Sequence, residues 1–152
     1  MAKKAAVSAC LTGQKCRYDG TDNHMPSLIK RLKEKGYEIV PFCPEEPAFG
    51  TPRPTIDVVR YPGGDIGVRS NKTGQDVSFA IVGYARKFFD THPDIDLFVG
   101  KDRSPSCGVC SAKCFDTNGN LIDVNATGLM AQEAIDRNIE SYDAETYLKE
   151  EL

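Results

Sequence analysis

At 152 residues the chain has the size of one domain, long enough to bury a real core. Its apolar fraction of 40% and charged fraction of 27% are those of an ordinary soluble globular protein. A net charge of -3 with scattered lysines and arginines leaves no electrostatic footprint for nucleic acid, so no such partner is expected.

In chain order, the opening MAKKAAVSACLTGQK sets two lysines before a short apolar run. Val7-Ser8-Ala9-Cys10 has the look of a lipoprotein cleavage box, yet too little hydrophobic sequence precedes it for export. No run nears the roughly 18 apolar residues of a membrane span, and a cytoplasmic protein without membrane association is expected. Ala5 to Leu11 reads instead as a buried strand stopped by Thr12-Gly13. Ser27 to Lys35 predicts a helix carrying Leu28, Ile29 and Leu32, with Pro26 in its first turn and Gly36 as the stop. Tyr37 to Cys43 is a second strand, whose Pro41 argues against a central position.

Residues 44–75 are rich in Pro and Gly. Ile56 to Tyr61 predicts a strand away from the main sheet, turned by Pro62-Gly63-Gly64, and the following GVRSNKTGQDVS reads as a loop. Asp76 or Ser78 can cap a helix from Phe79 to Thr91, whose Phe79, Ile81, Val82, Ala85, Phe88 and Phe89 form a broad apolar face. Asp96 to Gly100 is a third buried strand. Asn118-Gly119, between Phe115 and Leu121-Ile122, signals a hairpin. Thr127 can cap a helix with Leu129, Met130, Ala134 and Ile135 that ends near Asn138. Ile139 to Tyr142 predicts a last strand, followed by a short helix. The expected architecture is α/β: one Rossmann-like domain over 1–152, a mostly parallel sheet flanked by helices, with a small hairpin insertion.

Six cysteines in a reducing compartment call for metal, cluster or thiol chemistry more than for disulfides. Three of them, Cys107, Cys110 and Cys114, are spaced C-x2-C-x3-C within KDRSPSCGVCSAKC. Compact triads of this kind hold iron–sulfur clusters in other settings, whereas structural zinc wants four closed ligands. His24 and His92 lack ligand spacing and read as surface or capping residues. The predicted strands suggest a second arrangement. Cys10 ends the first, Cys43 ends the second, and Cys107 follows the third, so these three can meet beyond the carboxyl ends of a parallel sheet. Spacing alone leaves both arrangements open.

The flanks add chemistry. Ser104-Pro105-Ser106-Cys107-Gly108 is either a turn or a ligand loop with a hydroxyl for substrate. Cys43-Pro44-Glu45-Glu46 puts carboxylates beside a candidate ligand, and one facing a cluster can carry protons. Cys16-Arg17-Tyr18-Asp19-Gly20 supplies a thiol, a cation and a turn.

Together, SACLTGQKCRYDG (8–20), PFCPEEPAFGTPRP (41–54), GQDVSFAIVGYARKF (74–88) and KDRSPSCG (101–108) resemble the bacterial thiouracil desulfidase family, in order from Ser8 to about Ile139. The resemblance implies a Rossmann-like fold and a 4Fe-4S cluster held by three thiolates, with one iron lacking a protein ligand. Carried over by position, the ligands are Cys10, Cys43 and Cys107, with Cys16 a supporting or alternative residue. Glu45 is the implied acid/base and Ser104 the hydrogen-bonding partner of substrate. The implied reaction is a non-redox hydrolysis that turns a thiolated pyrimidine or related thiocarbonyl into its oxo form and releases sulfide. Cys110 and Cys114 lie outside the shared pattern. A competing expectation is therefore a non-enzymatic metal-binding or thiol-redox protein using Cys107, Cys110 and Cys114.

Overall fold

The computed structural model describes residues 3–150. The chain runs β1 (Lys3–Ser8), α1 (Pro26–Glu34), β2 (Tyr37–Phe42), a four-residue α2 (Glu46–Phe49), β3 (Ile56–Arg60) and β4 (Ile66–Ser70). It continues through α3 (Ser78–Thr91), β5 (Leu97–Gly100), β6 (Ala112–Phe115), β7 (Leu121–Ala126), α4 (Leu129–Asp136), β8 (Glu140–Asp143) and α5 (Ala144–Glu150). Two four-stranded sheets result, ordered β2-β1-β5-β8 and β4-β3-β6-β7.

The first sheet is wholly parallel. Its central strands are apolar on both faces because helices cover both. Alternation divides them: Ala5, Val7, Leu97 and Val99 join Leu28 of α1 and Tyr147 of α5. Ala6 and Phe98 join Phe42, Phe88, Phe89 and Met130 on the other face. There the rings of Phe42 and Phe98 stack with centroids 5.0 Å apart. β2 lies at the sheet edge with Pro41 opposite Val7, where a residue without an N–H is tolerated. Because β1 leads out to β2 and the chain then returns to β5 on the other side of β1, the sheet has a topological switch point between β1 and β5.

The expected hairpin insertion is part of a second, mixed sheet. β3 pairs antiparallel with β4 and parallel with β6, and β6 pairs antiparallel with β7 through the Asn118-Gly119 turn. Its core is Ile56, Val58, Val68, Ala112 and Cys114, packed on Ile81 of α3.

Several boundaries differ from the sequence expectation. Neither Asp76 nor Ser78 caps α3: the cap position is Val77, with no side-chain hydrogen bond, and Ser78 is the first residue of the helix. Ile66 to Ser70, expected as loop from Gly67 onward, is a strand because Val68 pairs with Val58 and is fully buried in the apolar core of the second sheet. Gly67 leaves room for the side chains beside it: a Cβ would sit 2.6 Å from both Asp76 Oδ2 and Ser78 Oγ and displace them. The first strand ends at Ser8 rather than Leu11, and Ala9–Thr12 form a 3-10 turn closed by Gly13 at φ 99°. Thr127 does not cap α4: Gly128 takes that position, and the Thr127 hydroxyl donates to the Val109 carbonyl. No helix among the described residues is long and apolar enough to cross a membrane.

Candidate active site

The loops leaving β1, β2 and β5 meet beyond the carboxyl edge of the parallel sheet, at its switch point. A cavity of about 480 Å³ opens there. Cys10, Cys16, Cys43 and Cys107 line one side, together with Glu45 and Ser104. The other wall comes from the second sheet and its loops, with Ile56, Asp57, Asn71 and Lys113. The second sheet therefore closes over the thiols rather than standing apart from them.

Each thiol is placed by local backbone chemistry. The 3-10 turn after β1 carries Cys10, whose carbonyl accepts from Asn23 N at 3.0 Å. The Cys43 N–H donates to Tyr84 Oη at 3.1 Å, which ties the end of β2 to α3. After β5 the chain makes a tight turn in which Ser104 Oγ accepts from Ser106 N (3.3 Å) and Cys107 N (3.0 Å). Glycine is obligatory on both sides of this turn. A Cβ on Gly100 would lie 1.8 Å from the Cys107 carbonyl oxygen, and one on Gly128 would lie 2.4 Å from the Ser106 carbonyl carbon. Even a methyl side chain has no room at either place.

The thiols differ in protonation. Cys16 hydrogen-bonds both Cys10 and Cys43, and those two bonds, with burial, push its own thiol far above the usual range. The same bond from Cys16 is the main reason that Cys43 falls to about 7, against the opposing effect of burial. The backbone N–H groups of Glu46 and Glu45 and the charge of Arg53 add to that stabilisation. Cys10 is also lowered, first by Cys16, then by Asn23 and the nearby Lys101 charge. Cys107 is raised by burial and by the Glu45 charge, opposed by a hydrogen bond with Ser8. Lys101 on the cavity wall is held below its ordinary value, chiefly by burial and then by Arg103.

Glu45 sits in a buried ion pair. Its Oε1 is 3.5 Å from Arg53 Nε, with the two side chains only 15% and 4% exposed. Its Oε2 accepts from Ser106 Oγ at 2.7 Å. The Arg53 guanidinium also donates to the carbonyl of Cys16 (2.7 Å), to the carbonyl of Gly50 (3.1 Å) and to Thr51 Oγ1 (3.1 Å). Arg53 Nε itself is buried without a hydrogen-bond partner: it attracts Glu45 as a charge, but the N–H is not aligned on the oxygen.

The structure thus brings together Cys10, Cys16, Cys43, Cys107, Glu45 and Ser104. It separates the other two cysteines from them. Cys110 is exposed, its N–H held at 2.9 Å by Asp143 Oδ2. Cys114 is buried in the core of the second sheet, on β6. All six are free thiols. The three cysteines of the C-x2-C-x3-C run thus lie in three different surroundings: Cys107 on the cavity, Cys110 exposed and Cys114 in the core of the second sheet. Sequence reasoning did not assign Arg53, Lys101 or the wall from the second sheet. Lys101 lies inside a quoted motif, and Arg53 lies in the TPRP run, but nothing in either run signals a partner. Ser106, expected either as part of a turn or as a hydroxyl for substrate, spends its hydroxyl on Glu45.

A family model described as 2-thiouracil desulfurase matches residues 5–146. An uncharacterized protein, YbbK of Bacillus subtilis strain 168, is 32% identical over 129 residues, covering 80% of this chain and 82% of that protein. Among solved structures, the 4Fe-4S-dependent thiouracil desulfidase TudS superposes with a TM-score of 0.74 at 27% identity, covering 97% of this chain and 94% of that one.

Proposed function

The chain belongs to the 2-thiouracil desulfurase family and is an enzyme, and from that premise we propose a hydrolytic, non-redox desulfuration of a small thiolated pyrimidine that releases sulfide. The observation that carries this reading is the convergence of four thiols and one buried carboxylate on a single cavity. A cytoplasmic location is part of the same proposal and is supported by the six free thiols, which persist in a reducing compartment.

The donor set fits an iron–sulfur cluster. It is all thiol, the usual ligand of such clusters, and it lines a chamber larger than one ion needs. Cys10, Cys43 and Cys107 would hold a 4Fe-4S cluster, leaving one iron without a protein ligand. Cys16, between Cys10 and Cys43, serves as hydrogen-bond support for their thiolates. When bound, the cluster supplies a thiophilic Lewis acid for the sulfur of the C=S group.

The chain's own residues supply the proton chemistry. Glu45 takes a proton from the water that attacks the thiocarbonyl carbon, and returns one to the departing sulfur. With Oε2 occupied by the Ser106 hydroxyl, Oε1 is the oxygen that works. Ser104 Oγ already accepts from two backbone N–H groups, so its own O–H is directed to donate to the oxygen or ring of substrate. The walls Ile56 and Phe42 exclude bulk water from one side of the chamber. Water adds its oxygen to carbon, sulfide leaves, and no electrons are transferred.

The test is turnover of 2-thiouracil and 4-thiouracil by anaerobically reconstituted protein in oxygen-18 water, without an electron donor. Sulfide and uracil carrying the heavy oxygen, in equal amounts, are expected. Turnover that requires a reductant, or uracil without the label, would contradict the hydrolytic reading.

A further inference from the structure

Resting on the reading above, in which Glu45 moves the protons, we propose that Ser106 and Arg53 are positioning residues that grip the Glu45 carboxylate from two sides and set which oxygen works. Neither makes contact with substrate in this assignment. Their effect on the reaction passes through Glu45.

Three observations carry it. First, Ser106 is wholly buried (0% exposed), so its hydroxyl has no solvent to bond, and it donates at 2.7 Å to Glu45 Oε2. The turn that holds it is fixed independently, by Ser104 Oγ on its N–H and by Met130 N on its carbonyl at 2.9 Å. The hydroxyl is therefore a fixed peg rather than a rotor that follows the carboxylate.

Second, the terminal nitrogens of Arg53 are committed to Cys16, Gly50 and Thr51, and its own N–H donates to the Tyr18 carbonyl at 2.8 Å. The guanidinium is tied to both loops that flank the thiols. Third, Arg53 Nε, buried and without a hydrogen-bond partner, faces Glu45 Oε1 at 3.5 Å. Buried N–H groups are seldom left unpaired without a use. A shift of roughly 0.7 Å would bring the pair from 3.5 Å to the usual charge-assisted distance of about 2.8 Å. Oε1 thus has two settings: docked on Nε, or swung toward the cavity with Oε2 as the pivot on Ser106.

The same guanidinium shares the Cys16 carbonyl with the Cys43 thiol, which lies 3.8 Å from it. Arg53 therefore couples the placement of the carboxylate to the loop that carries Cys16. A lysine at this position keeps the charge but cannot hold three carbonyl and hydroxyl partners while presenting a fourth N–H to Glu45.

The test uses Ser106→Ala, Arg53→Lys, Glu45→Gln and the Ser106→Ala/Glu45→Gln double variant of the full chain, reconstituted anaerobically. Iron, acid-labile sulfide, kcat and KM for 4-thiouracil are measured for each. Ser106→Ala and Arg53→Lys are expected to keep wild-type iron content and a KM within about twofold, while kcat falls by about tenfold to a hundredfold. The double variant is expected to be no slower than Glu45→Gln alone, because the serine acts through the carboxylate. Wild-type kcat in Ser106→Ala beside an inactive Glu45→Gln would overturn the positioning role and leave the role of Glu45 standing. So would additive losses in the double variant, or loss of iron in Ser106→Ala. Full turnover in Glu45→Gln would instead remove the underlying reading.

Discussion

The two sheets treat their cysteines in opposite ways. The parallel sheet sends Cys10, Cys43 and Cys107 out of three strand ends at its switch point, where Cys16 joins them at one cavity. The mixed sheet buries Cys114 among Val58, Val68 and Ile81, and Cys110 stands exposed on the loop leading into it. Cys107 and Cys110 are close in sequence yet belong to different environments. A parallel sheet gathers residues from distant parts of the chain at one edge, whereas closeness in sequence gathers nothing unless the backbone turns back on itself.

The comparison breaks most severely at Gly100. An alanine there puts a methyl group 1.8 Å from the Cys107 carbonyl oxygen, a clash with backbone that cannot swing away. Overpacking of this kind costs about 1–3 kcal/mol, and Gly100→Ala is expected at the upper end. That corresponds to a melting temperature lower by roughly 6–12 °C in a domain of this size. Iron content should fall with it, because Cys107 is displaced; thermal unfolding and iron analysis check both.

A second prediction separates thiols within the site. In cluster-free protein the Cys43 thiol is lowered to about 7, so its thiolate predominates above that pH and is protonated below it. Since the thiolate is the nucleophile, alkylation of Cys43 by iodoacetamide should rise through pH 7 and level off above it. Cys107, raised by burial, should stay unlabelled over the same range. Site-resolved mass spectrometry reads both, and a Cys43 midpoint near the ordinary thiol value of 9.0 would remove the proposed support from Cys16.

Smaller effects are expected on the other side of the molecule. Cys114→Ser places a hydroxyl in an apolar core and should cost about 1–3 kcal/mol of stability without changing kcat or iron content. Cys110→Ser is at an exposed position and should stay within about 0.5 kcal/mol of wild type, again with kcat unchanged. Denaturant unfolding and turnover assays check these two variants together.

Much of this was legible in the sequence, and the reasons for success and failure are physical. The apolar runs around Ala5–Val7 and Leu97–Val99 announce strands buried on both faces, so the placement of Cys10 and Cys107 near strand ends followed. Pro41 signalled an edge strand, and β2 is one. The strand at Ile66–Ser70 escaped notice because its inward Val68 is flanked by Gly67 and Arg69, and its partner β3 supplies the apolar face. The contact between Ser106 and Glu45 joins residues 61 positions apart, and no periodicity encodes such a pairing. Arg53 lay in a proline-rich run that reads as loop, yet its side chain is 4% exposed and ties together the segments on either side of Cys43. The four quoted motifs carried the resemblance to the family, and the cavity brings their cysteines together; the contacts around the Glu45 carboxylate needed the fold.

The central claim is that Cys10, Cys43 and Cys107 form one site from which Cys110 and Cys114 are excluded. Iron and acid-labile sulfide measured per chain in protein purified without oxygen test it most directly. Wild type and the Cys110→Ser/Cys114→Ser double variant should each carry about four of both, and Cys43→Ala should lose the cluster along with all desulfuration. A full cluster in Cys43→Ala, or its loss in the double variant, would contradict the account.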